Sequence, residues 1–186
     1  MKKKCKFKYD KKYFYQFHYT HSHTANLVSD IRWNFISYLN PKTVLDYGSG
    51  CGFLSKYAPP NIIVDSYDIG RLNGESYPQT GILHYHYDLI FFNDVLEHVD
   101  WDNEPDDKIE EILLKTKYVS ASVPILPDGK NLEEWKHYKP GEHLTNFTYK
   151  TIIDFFASRE FSIIKWGFPE CPPREDVVTI VVERNK

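Results

Sequence analysis

A chain of 186 residues, 41% hydrophobic and 16% aromatic, is long enough for one well-filled core and too short for two. No apolar run approaches the ~18–20 residues that cross a bilayer, and the basic start MKKKCKFKYD lacks the apolar stretch of a secretory leader. Cys5, Cys51 and Cys171 form neither a metal spacing nor a disulfide framework, so a soluble cytoplasmic protein is expected.

The net charge of −3 is unevenly spread. Residues 1–15 carry seven lysines against Asp10, whereas residues 88–111 hold ten acids and only Lys108. The acidic stretch argues against that face lying on a nucleic-acid backbone and suits a cationic or neutral substrate, or a metal.

Along the chain, residues 1–25 read as a basic, aromatic arm. The stretch YFYQFHYTHSHT supplies Tyr13, Tyr15, Tyr19 and His23, which can form a lid over a site, pack on the core, or stack bases. Apolar positions at Leu27, Ile31, Phe35 and Leu39 then predict a helix over 26–39. Residues 43–45 read as the first central strand, followed by a short helix near 52–57 that ends before Pro59 and Pro60.

A second strand is expected from Ile62 to Ile69, a turn-rich loop over 70–81, a short strand over 82–87 and a buried strand over 88–92. Helix over 106–115, strand over 117–123, helix over 149–158 with Thr148 as its cap, and a strand pair at 161–166 and 177–183 complete the pattern. Strands alternating with helices, closed by a strand pair, give one α/β domain over 26–186, with a mostly parallel sheet and an antiparallel edge.

The most informative segment is VLDYGSGCGF, residues 44–53, where a buried strand ends at Asp46 and Gly48, Gly50 and Gly52 follow at every second position. Glycine allows close backbone approach and positive φ, so the polar end of a ligand can lie where strand gives way to helix. The spacing is neither G-x-G-x-x-G nor a G-K-[ST] phosphate loop. An acid just before the turn is unfavourable beside pyrophosphate and suits a zwitterion with one amine.

At these residues VLDYGSGCGFLSKY resembles the first motif of class I S-adenosylmethionine-dependent methyltransferases. YDLIFFNDVLEHV, residues 87–99, is similar to their fourth-strand motif, and GEHLTNFTYKTIIDFF, residues 141–156, to the segment after the fifth strand in the small UbiG-like and Hen1-like branches. The resemblance spans roughly residues 20–183 and implies a three-layer Rossmann-like methyltransferase fold, its mostly parallel sheet carrying an antiparallel C-terminal strand.

It further implies S-adenosyl-L-methionine as cofactor. Gly48, Ser49, Gly50 and Gly52 would line its methionine portion, Asp46 would face its amine, Asp68 its ribose hydroxyls, and Asn93 and Asp94 the crevice end of the strand. The adenine reader is not evident: the segment before the fourth-strand motif offers only His84, Tyr85 and His86.

Methyl transfer needs an in-line lone pair, and a base where the acceptor carries a proton. Imidazole titrates near neutrality, which makes His98 and His143 the candidate catalytic residues. Asp94, Glu97 and His98 share one face if the segment is helical. With His143 they resemble the metal-holding set of the Hen1-like RNA 2′-O-methyltransferases, with Asp94 in place of a Glu.

A metal site, a metal-free base and a structural cluster all fit these residues. No N-P-P-Y segment or Pro-Cys nucleophile occurs after the fourth strand, so base methylation of those types is set aside. Cys51 reads as a packing residue, and Trp135 and Tyr138 as pocket lining or loop anchors. The expected acceptor is a small molecule, with an RNA end as the enzymatic alternative and a non-catalytic cofactor-binding subunit as the third reading.

Overall fold

The computed structural model describes residues 12–13, 22–69, 86–103, 105–172 and 174–185. Most of the arm, the loop expected at 70–81 and residues 82–85 of the strand expected at 82–87 lie outside them. So do Cys5, Tyr15, Tyr19, His84, Tyr85 and the side chain of His23.

The described elements are helix α1 (Ser22–Ile36), strand β1 (Thr43–Tyr47), helix α2 (Phe53–Lys56), strands β2 (Ile63–Tyr67) and β3 (Tyr87–Asn93), helix α3 (Asp107–Leu113), strand β4 (Thr116–Pro124), helix α4 (Tyr149–Ala157), and strands β5 (Phe161–Gly167) and β6 (Val177–Arg184). None of these helices is long and apolar enough to cross a membrane. α3 starts where the Asp106 side chain accepts the N–H groups of Lys108 and Ile109. α4 starts at Thr148, which forms a capping box with Thr151.

The six strands form one sheet in the order β2-β1-β3-β4-β6-β5. β1, β2, β3 and β4 run parallel, β6 pairs antiparallel to β4, and β5 pairs antiparallel to β6. The mostly parallel sheet with an antiparallel C-terminal strand is as expected; that strand, β6, lies one place in from the edge, and the edge strand β5 runs with the core. The residues explain this order. Val177 to Val182 is apolar almost throughout and buried at every position, as an inner strand requires. β5 alternates between covered and exposed side chains and carries a register shift between Ile163 and Lys165, features that suit an edge and discourage further pairing.

Alternate side chains of the central strands enter two cores. Leu45, Ile90, Phe92 and Ile180 pack with α3 and α4 through Ile109, Leu113, Ile152 and Phe156. Val44, Leu89, Phe91 and Val181 pack on the opposite face with Trp33, Ile36 and Leu54 of α1 and α2. This is the three-layer arrangement expected.

The chain leaves β1 toward β2 on one side and returns through β3 toward β4 on the other. That reversal opens a crevice at the carboxyl ends of β1 and β3. Gly48 stands at its floor with φ +77°, and a Cβ there would overlap Cγ2 of Val95.

Gly48→Ala is therefore expected to lose about 2–4 kcal/mol, combining backbone strain with overpacking against a stiff β-branched side chain. Urea unfolding of Gly48→Ala, Val95→Ala and the double variant should give a favourable coupling of about 1–3 kcal/mol. Additive losses would show that Val95 yields without cost.

Candidate active site

The crevice is lined from two ends by residues that the strand order brings together. At one end, the turn after β1 is held by the end of β2. The Tyr67 carbonyl accepts the N–H groups of Gly48 at 2.7 Å and Ser49 at 3.0 Å, and Asp68 Oδ2 accepts the N–H of Gly50 at 2.7 Å. Asp68 is thus a support of the turn as well as an acid at the crevice. Gly52 caps α2 and does not line the cavity.

Asp46 is 3% exposed, and its Oδ2 has no hydrogen-bond partner. Burial pushes its pKa up to about 7, with Arg32 opposing the rise and Asp68 adding to it. Ser49 Oγ and both side-chain polar atoms of Asn93 are likewise buried without partners. Unpaired buried polar atoms are rare in native proteins, and here they gather at one end of a cavity of about 480 Å³.

The other end is built by the segment after β3 and the loop before α4. Asp94 adopts φ +58°, and Leu96–His98 form a 3₁₀ turn. The Glu97 carbonyl accepts the N–H groups of Leu144 at 2.8 Å and Thr145 at 3.0 Å, which docks His143 beside the turn. The His98 and His143 rings meet edge to face with centroids 4.9 Å apart. His98 Nδ1 lies 3.1 Å from the Glu142 carbonyl, and Tyr13 donates to Glu142 Oε1 at 3.5 Å.

Donor atoms of Glu97, His98 and His143 all lie within 4.8 Å of one another. Glu97 Oε2 and His143 Nδ1 are buried without partners. Burial raises the Glu97 pKa well above the usual carboxylate range, and neighbouring Asp94 adds to the rise. Burial lowers His98, and it takes His143 down to about 3, assisted by the charges of His98 and Lys139. Both imidazoles are neutral near pH 7, the form that accepts a proton or a metal.

Asp94 does not join this group, because its left-handed backbone places it before the turn instead of on a shared helical face. Its carboxylate pairs with Arg174, through Nη1 at 2.9 Å and also through Nη2, and with Arg32 Nη2 at 3.4 Å. Partial burial alone would raise its pKa; Arg174, then Arg32 and His98, hold it well below the usual range. Behind it, Glu170 receives Arg32 Nε at 2.7 Å and Arg174 Nη1 at 2.7 Å.

Sequence reasoning missed Arg32, Glu170 and Arg174. The one signal available was three charged residues outside the motifs, on a helix and a proline-bearing loop. Cys51 lines the cavity, and burial raises its thiol to about 11, which disfavours the thiolate that a nucleophile needs. Trp135 is buried outside the cavity, as a loop anchor.

The raised Asp46 pKa has a stability consequence. Its contribution is fully present below the ordinary 3.8 and is lost as pH rises through about 7. Asp46→Asn should therefore melt progressively higher relative to the parent protein between about pH 4 and about pH 7, and a pH-independent difference would contradict the burial of this charge.

No family model matches the chain, and no curated protein matches it in sequence. Among solved structures it is similar to the magnesium protoporphyrin IX methyltransferase of Synechocystis PCC 6803 with bound SAH, at 18% identity over 89% of this chain and 84% of that one, TM-score 0.61. It is also similar to the 16S rRNA methylase ArmA, at 13% identity over 91% and 88%, TM-score 0.57. A third neighbour is the [4+2]-cyclase SpnF, at 10% identity over 86% and 80%, TM-score 0.60. These likenesses establish the fold: an α/β sheet of the kind found in class I S-adenosylmethionine-dependent methyltransferases.

Proposed function

We propose that this chain is an S-adenosylmethionine-dependent methyltransferase that moves the methyl group to an oxygen or nitrogen of a small molecule. The observation that carries this reading is one cavity whose two ends both hold buried, unpartnered polar atoms: Asp46, Ser49 and Asn93 at the glycine turn, Glu97 and His143 at the other end.

The residues at the turn fit the cofactor. Asp46 and Asn93 would hold its amine, Gly48 and Gly50 admit its amino-acid chain, and Asp68 faces the ribose side. When bound, S-adenosylmethionine supplies an electrophilic methyl group. His98, the less strongly lowered of the two imidazoles, would take the acceptor's proton, and His143 beside it would orient the acceptor. A neighbour that acts on a porphyrin supports a small acceptor at the level of the fold.

One observation favours a second reading, metal-assisted 2′-O-methylation of an RNA end: the close approach of Glu97, His98 and His143. These three would hold a divalent ion and orient vicinal hydroxyls. Asp94, committed to Arg174, stays outside the set. The neighbouring rRNA methylase makes an RNA acceptor compatible with the fold.

Labelled methyl transfer by the full chain, tested across small hydroxyl and amine acceptors and RNA with and without chelator, separates the readings. Chelator-insensitive transfer to a small acceptor is expected. His98→Ala or His143→Ala should lower its kcat by about 10²–10⁴ while cofactor affinity stays within about twofold. Chelator-sensitive transfer confined to RNA ends would establish the second reading, cofactor binding without transfer would indicate a partner subunit, and no cofactor binding would overturn all three.

Cofactor affinity should also tighten as pH rises through about 7, the Asp46 value, because the ionised carboxylate is the form that attracts an amine. Calorimetric titration should show that slope flattened in Asp46→Asn.

A further inference from the structure

We infer that Tyr149, Trp166 and Phe168 form an aromatic cage at the outer edge of the sheet, and that this cage binds a methylated ammonium group. The site shares no lining residue with the crevice, so it stands or falls independently of the methyltransferase reading.

The edge strand creates the site. Trp166 lies opposite Ile180 of β6, whose side chain belongs to the core beneath α3 and α4, so strand alternation puts Trp166 on the α4 face. Tyr149 opens α4 on that face, and Phe168 follows Trp166 by two residues. A second cavity, of about 570 Å³, lies between α4 and β5. Buried Ile152, Val178 and Ile180 make its floor, and exposed Ile153, Ile164 and Trp166 its rim. Trp166 is 59% exposed, and Tyr149 and Phe168 are exposed beside it. Contiguous apolar exposure of this kind marks a binding surface.

Ring geometry names the ligand. The centroids lie 6.2 Å apart for Tyr149 and Trp166, 6.5 Å for Tyr149 and Phe168, and 6.2 Å for Trp166 and Phe168. The planes of the same pairs cross at 68°, 82° and 77°. Three nearly perpendicular ring planes at these spacings share a point about 4.5 Å from each centroid, inside the ~6 Å over which a ring face attracts a cation.

The same strand shows this distance in use. On its opposite face Lys165 holds its ammonium 4.0 Å from the Phe35 centroid and 4.9 Å from that of Tyr38, and donates to the Phe35 carbonyl at 2.7 Å. Lys165 is thereby committed to that face. Among the described residues no cation lies over Tyr149, Trp166 or Phe168.

The surrounding charge suits a cation. Burial first, then the negative charges of Asp176 and Asp128, raises the Tyr149 hydroxyl above its ordinary value. Those two acids oppose the positive end of the α4 dipole. Methylation fits the cage better than a bare ammonium does, because the rings cannot accept three strong N–H bonds, whereas methyl groups meet their faces as apolar surface.

The test titrates the full chain with choline and with its uncharged tert-butyl isostere, in which carbon replaces nitrogen, followed by ligand-observed NMR. The parent protein should bind choline about five- to thirtyfold more tightly, the scale of a desolvated cation–π contact. Trp166→Leu, which keeps an apolar side chain at an exposed position, should bring that ratio to within about twofold, and Trp166→Phe should keep part of it. Phe168→Leu is measured in place of Trp166→Leu where the latter fails to fold.

A blocked trimethyllysine, titrated in parallel, names the source of the group. Tighter binding than choline assigns a protein side chain, and weaker binding a free small molecule. A parent protein that binds none of these ligands, or binds choline and its isostere equally, overturns the cage. So does a preference for choline that survives both Trp166→Leu and Phe168→Leu, because the cation then sits elsewhere.

Discussion

Three amides set the geometry of the site. With Gly48 and Ser49 bonded to the Tyr67 carbonyl and Gly50 bonded to the Asp68 carboxylate, the turn after β1 cannot open or slide relative to β2. That pinning requires parallel strands in register, because Tyr47 stands opposite Tyr67 in the β1–β2 ladder. It also requires a bare α-carbon at Gly48, since Val95 at the end of β3 fills the space where a side chain would project. One turn therefore ties together the ends of three strands. The crevice is a consequence of their order, and its dimensions are inherited from the sheet.

Burial then decides what each charge can do. Most ionisable groups facing the cavity would be unfavourable there as isolated charges. The structure resolves this differently at its two ends. Glu170 is buried at 1% exposure but meets two guanidinium groups, and it organises Arg32, Arg174 and Asp94 around itself. Asp46 meets only partial compensation from Arg32, so its carboxyl is held near neutrality. In the first arrangement every charge meets an opposite one. The second is incomplete without a cation, and the unpartnered Oδ2 marks the place.

The sheet and the turn were legible in the sequence because they rest on local rules. Uninterrupted apolar runs mark inner strands, Thr148 and Asp106 mark helix starts, and three glycines after an acid mark a backbone that approaches a ligand. The position of β6 was legible only in part: a strand pair was evident from valines and alternation, but which member enters the sheet depends on comparing full burial of VVTIVV with the half-exposed pattern of FSIIKW. The site was legible where residues lie within one motif. It was not where the contact is long-range. Arg32 and Glu170 are 138 residues apart, and Arg174 is 80 from Asp94. Periodicity carries no trace of such pairs, and a charge on a proline-bearing loop reads as solvated surface until the fold closes over it.

Asp94 and Glu97 show why spacing alone misassigned their relation. Read as a helix, the segment puts both carboxylates and His98 on one face, as a four-residue metal cradle. The backbone instead turns left-handed at Asp94 and tightens to a 3₁₀ turn at Leu96, which sends the two acids into different surroundings. Arginines hold Asp94 ionised; burial beside that same negative charge holds Glu97 toward its neutral form. Two carboxylates with pKa values driven apart have separate roles. Asp94 belongs to the frame, through Arg174. Glu97 faces the two imidazoles, where it can donate a proton as an acid or lose it to become a ligand. The choice between a metal-free base and a metal-assisted reaction is thereby concentrated in one residue, and it depends on whether a divalent ion offers Glu97 more than the loss of its proton costs.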